Sequence, residues 1–132
     1  MIEIDTKGYW LDWSDGCGKA ERLAKVLRDT QPQYNSDGEF IILTVGLYDI
    51  TMLDHIHMLE NRTDELMAEA GWRLVNRRLF KGSAGALCFM DAVYYTKEQG
   101  NITFKCASFH SESEARAFCC YCILRWLQEQ KG

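Results

Sequence analysis

The sequence predicts an α+β fold: a mostly antiparallel five-stranded sheet covered by three helices, in the order β-α-β-α-β-β-β-α. Three observations carry that prediction. Residues 72–80, 87–95 and 102–109 are three consecutive strand-like runs, and the polar, glycine-containing stretches 81–85 and 97–101 between them read as turns. The tetrad Ser111-Glu112-Ser113-Glu114 is a capping box, in which the first serine and the last glutamate satisfy each other's backbone N–H groups, so a helix starts near residue 112. Helices and strands do not alternate regularly, which argues against a parallel, doubly wound sheet.

The elements follow in chain order. Residues 8–13, Gly-Tyr-Trp-Leu-Asp-Trp, read as a short strand, and Ser14-Asp15-Gly16 then opens a helix with Ala20, Leu23, Ala24 and Leu27 on one stripe, limited by Pro32. After a polar turn at 34–38, residues 40–45 are rich in branched side chains and apolar on both sides of the pleat, as a central strand requires. Asp49 or Thr51 caps a second helix, whose Leu53, Ile56, Leu59, Thr63, Leu66, Met67 and Ala70 recur near helical spacing, with Gly71 as its stop and Asn61 as a point of interruption. The three strands follow, and the last helix, 112–129, closes the chain. It is apolar on almost every side: from Ala115 to Glu129 only Arg116, Arg125, Gln128 and Glu129 are polar interruptions. A helix of this composition has to be covered on more than one face, by its own domain or by a second copy.

A chain of 132 residues is most economically one domain, 1–132, large enough to bury about two-thirds of its unfolded surface. A single proline and ten glycines leave no linker or disordered tract. Fifteen basic against nineteen acidic residues give a net charge of −4, which offers no general attraction for nucleic acid or anionic lipid. The start, Met-Ile-Glu-Ile-Asp, has neither the basic nor the apolar region of a secretory leader, and no stretch reaches the roughly 20 apolar residues of a membrane span. The expectation is a cytoplasmic protein with six reduced thiols, because three of the cysteines, 119, 120 and 122, crowd one helix where neighbours point about 100° apart.

No cluster in the sequence commits it to chemistry. Cys119 and Cys122 have the spacing of a redox or zinc pair, but they sit two turns inside a helix and not at its N-terminus, where the dipole would favour a thiolate; they read as small apolar core residues. Gly16, Cys17, Gly18 and Lys19 lie where a helix N-terminus gathers an anion, yet the glycine spacing and Ala20 after the lysine do not make a phosphate loop. Cys17 and Lys19 remain the residues an enzyme or small-ligand protein would use. His55 and His57 point to different sides of a helix, which excludes joint metal ligation by that pair alone. His110 close to Cys106 does not by itself make a catalytic pair. No cofactor fingerprint is present, so neither cofactor nor metal is expected. Arg73, Arg77, Arg78 and Lys81 form the one basic cluster; on a regular strand Arg73 and Arg77 share a face and Arg78 opposes them, which reads as a sheet edge protected by charge, with a nucleic-acid or acidic-partner site as the alternative.

The aromatic content is the positive signal. Four tryptophans, six tyrosines and six phenylalanines exceed what one small core hides easily. Phe118 and Tyr121 fall on the same side of the last helix as Arg125, the composition of a contact surface, and Trp10 and Trp13 make a second patch. The alternative is cover of the helix by the N-terminal segment.

The stretch from Ile102 to Leu127, with Ala107, Ser108, Glu114-Ala115 and the small residues Cys119, Cys120 and Cys122, resembles small phage- and prophage-encoded α/β sandwich proteins. Thr63-Asp64-Glu65-Leu66 leading to Ala70-Gly71-Trp72 adds to the likeness, at a different place in the chain from the one expected. The resemblance covers about a third of the sequence. It implies an accessory protein of a mobile element with no assigned catalytic residues, one that inhibits a host or defence protein. The function expected from the sequence is therefore binding to a protein partner or to itself, as a homodimer through the last helix, and not catalysis.

Overall fold

The computed structural model describes residues 2–14, 53–81, 89–108 and 112–131. Within them lie a four-stranded mixed sheet and three helices, an α+β arrangement. β1 (Ile2–Ile4) is followed by α1 (Lys7–Ser14), α2 (Leu53–Glu69), β2 (Arg73–Lys81), β3 (Phe89–Lys97), β4 (Gly100–Ser108) and α3 (Glu112–Lys131). The sheet order is β1-β4-β3-β2, with β2, β3 and β4 an antiparallel meander and β1 parallel to β4.

Two expectations are corrected. The sheet has four strands among the described residues where five were expected, and it is mixed, because Ile2-Glu3-Ile4, too short to stand out in the sequence, pairs parallel with Ile102, Thr103 and Phe104. Residues 8–13 are helical, not a strand. The Thr6 carbonyl accepts the first helical bond from the Trp10 N–H, and the Asp5 carboxylate accepts from the Lys7 N–H. That turn sets Tyr9, Trp10 and Trp13 on one stripe and leaves Leu11 outside. The anticipated helix after Ser14 and the anticipated central strand at 40–45 lie outside the described residues.

α2 runs through Asn61 without interruption and ends as its sequence predicts. Gly71 takes a positive φ of 93°, its N–H bonds the Ala68 carbonyl at 2.9 Å, and the Trp72 N–H reaches back to the Met67 carbonyl at 2.8 Å. This is the Schellman stop, which satisfies carbonyls the helix leaves over and needs a residue without Cβ at its turning point. Lys97 completes it: its ammonium donates to the Ala70 carbonyl at 3.3 Å and stands 5.2 Å from the Trp72 ring, a cation at the negative helix end.

α2 and α3 pack against one face of the sheet, and α1 lies along α3. Val93, Tyr95, Ile102, Phe104 and Cys106 point from the strands into that layer. Trp126 stacks edge-on against Phe104 and against Trp72, both with centroids 5.7 Å apart. Among the described residues no helix is long and apolar enough to cross a membrane.

Candidate functional site

The residues singled out as a contact surface do come together, but as core. Phe118 is 2% exposed and Tyr121 3%, and Trp13 is fully buried between them, with ring centroids 5.8 and 5.2 Å away; Trp10 meets Phe118 edge-on at 5.1 Å. Arg125 holds the rim. Its guanidinium donates to the Tyr121 hydroxyl at 2.7 Å and to Asp12 at 3.0 Å, and it lies over the Tyr9 ring, whose hydroxyl donates to Glu129 at 2.6 Å. The N-terminal helix is thus the cover the last helix needs. Trp13, Phe118 and Tyr121, which argued for a contact surface on α3, are packed against one another within the chain. Gly16, Cys17, Gly18 and Lys19 lie outside the described residues.

The four described cysteines, 106, 119, 120 and 122, are all free and buried, and burial pushes each thiol up from its ordinary range. That is the opposite of what a nucleophilic or redox thiol needs. Among the described residues no group of histidines, cysteines and carboxylates could hold a metal ion.

Between α2, α3 and β2 lies an ion cluster that the sequence does not announce. Glu60, almost wholly buried, accepts from Arg77 at 2.9 Å and from Nε of Arg116 at 3.0 Å, with a second, shorter bond from Nη2 of Arg116. Asp64 accepts from Arg77 at 3.0 Å and from the Tyr95 hydroxyl at 2.7 Å. Burial pushes the Asp64 carboxyl up, while Tyr95 and Arg77 pull it back. One central carboxylate clamped by two guanidiniums fixes the angle between two helices and a strand.

Asp91 is the uncompensated member. It is 1% exposed, and neither carboxylate oxygen has a hydrogen-bond partner among the described residues. Burial raises its pKa to about 6, against the pull of Arg77. An acid whose folded pKa lies above its unfolded one binds more protons when folded, so it costs stability at neutral pH and the cost is relieved as pH falls from about 6 towards 4. Asp91→Asn is expected to raise stability by about 2 kcal/mol at pH 7 and to lose that advantage below about pH 4. Denaturant melts of both proteins across that range check it; a pH-independent difference would contradict the assignment.

The far face of the sheet carries the candidate site. β2 has a bulge: Leu74 pairs with Tyr95 and Asn76 with Tyr94, so Val75 is an extra residue without a partner. The sequence expectation that Arg73 and Arg77 share a face is thereby overturned, because one inserted residue flips everything before it. Arg77 turns inward to the ion cluster, whereas Arg73 and Arg78 both stand on the far face, opposite Thr96 and Ala92. There a cavity of about 440 Å³ is lined by Arg73, Asn76, Arg78, Tyr94, Thr96 and Asn101, with Val75 at its margin. Among the described residues neither Arg73 nor Arg78 has an acidic partner; Arg78 rests 5.1 Å from the Phe80 ring. Further along, Phe80 (40% exposed) and its cross-strand neighbour Met90 form an exposed apolar pair, and Val75 is 59% exposed. Every residue of β2 except Arg77 is exposed.

No family model, no curated protein and no solved structure compared with this chain matches it.

Proposed function

We propose that this chain is a small binding protein that acts by occupying the surface of another protein, and that β2 is its contact strand. The observation that supports this reading is the composition of that strand where it faces outward. The exposed apolar side chains of Val75 and Phe80 stand with the cations Arg73 and Arg78 on the far face, and Met90 extends the apolar part onto β3. Arginine beside exposed aromatic and methionine side chains is the make-up of protein contact surfaces. The cations also select the partner. Antiparallel pairing of two copies of β2 centred on Arg77 sets Arg77 opposite its own copy and Asn76 opposite Arg78, so like charges oppose self-association, and an acidic partner is favoured. A role of this kind accords with an inhibitory accessory protein, the function the sequence resemblance implies.

The test is a two-site variant that changes only exposed side chains, Phe80→Glu with Val75→Glu. Tagged wild-type chain expressed in its native host is expected to retain a stoichiometric protein partner that the variant releases, with unchanged circular dichroism and melting. Retention of the same protein by both would sink the assignment of the contact to β2.

A further inference from the structure

Beyond that reading, and on some of the same side chains, we infer that the hollow at the bulge is a binding site for a small organic anion: an oxyanion carried on a flat ring. Arg73 and Arg78 are five residues apart, and on a regular strand they would point to opposite faces. The extra Val75 brings both to the same face, on either side of Asn76, over a concavity of about 440 Å³. Bulges re-aim side chains in this way beside functional sites, and the volume falls within the range of small-ligand pockets.

The lining specifies the ligand. Among the described residues the two guanidiniums have no acid to neutralise them, although the chain as a whole carries a net charge of −4. They supply planar, forked donors of the kind that grip carboxylate or phosphate oxygens. Asn76 adds an amide between them. Across the hollow the Thr96 hydroxyl donates to the Asn101 side-chain oxygen, which leaves the amide nitrogen of Asn101 available to donate. Tyr94, half-buried in the next strand, contributes an aromatic wall, and Val75 an apolar margin, so a flat ring attached to the anion gains contact that a bare ion does not. Phosphate and carboxylate share this chemistry, and the experiment separates them.

The experiment titrates the full-length protein, labelled with nitrogen-15, with phenyl phosphate, benzoate and inorganic phosphate, and follows amide and arginine side-chain resonances. Saturable shifts confined to residues 73–78, 94–96 and 101 are expected with phenyl phosphate, benzoate or both, and the stronger of the two names the oxyanion. Inorganic phosphate is expected to bind about tenfold more weakly for want of the ring. Arg73→Gln and Arg78→Gln, both at exposed positions, are each expected to weaken binding about tenfold, the loss of one charge-assisted hydrogen-bonded contact, whereas Lys7→Gln, on α1 and outside the lining of the hollow, is expected to leave it unchanged. Equal affinity for inorganic and phenyl phosphate would overturn the ring contact. Shifts that do not saturate, or that persist unaltered in both arginine variants, would overturn the site.

Discussion

Replacing Glu60 by alanine is expected to destabilise the protein by about 3–5 kcal/mol, the cost of breaking a buried ion pair and leaving its partners uncompensated. Among the described residues Glu60 is the one carboxylate shared by Arg77 of β2 and Arg116 of α3, and it sits on α2 among buried neighbours. Among the described residues its loss leaves Arg77 with Asp64 and Arg116 with Glu112, at 3.0 and 3.4 Å. Conversely, Glu65→Ala, which removes the exposed partner of Arg62, is expected to cost less than about 1 kcal/mol. Urea unfolding of the two variants measures the contrast. Equal, small losses would mean that the cluster is solvated and does not hold the helices to the sheet.

Trp13→Ala is the second large effect, about 3–5 kcal/mol, because it removes a fully buried aromatic side chain and opens a cavity that Phe118 and Tyr121 cannot close. The consequence extends beyond the cavity. Tyr9 and Trp13 anchor an eight-residue helix, too short to persist in water without its packing. When it detaches, the outward side of α3 is wetted, and a helix as apolar as this one then seeks another cover.

Much of the layout was legible because its signals are local. Gly71 ends α2 since only a residue without Cβ turns there at low cost, and the polar stretch around Glu98 and Gln99 closes the hairpin between β3 and β4. The capping glutamates in the first turn of α3 fall where the sequence places them. What the sequence concealed depends on contacts distant along the chain. Tyr9, Leu11 and Trp13 fit an alternating strand as well as Tyr9, Trp10 and Trp13 fit a helix, and the choice is made by Phe118 and Tyr121, more than 100 residues away. The same contact explains why Phe118 and Tyr121 look like a contact surface in one dimension and are core in three. Arg77 is indistinguishable in sequence from Arg73 and Arg78. The bulge at Val75 and the carboxylates of α2 turn it inward, and a bulge leaves no mark in a run without glycine. The candidate anion site was missed for the same reason, since a regular register separates its two arginines.

The central claim is that the terminal helix is wrapped by its own chain. Amide hydrogen exchange along residues 112–131, measured at low and at high protein concentration in the wild type and in Trp13→Ala, tests it most directly. Protection in the wild type that is unchanged on dilution, and that falls in the variant, is the result this structure predicts. Protection that disappears when the wild-type protein is diluted would show that a second molecule supplies the cover, and would contradict it.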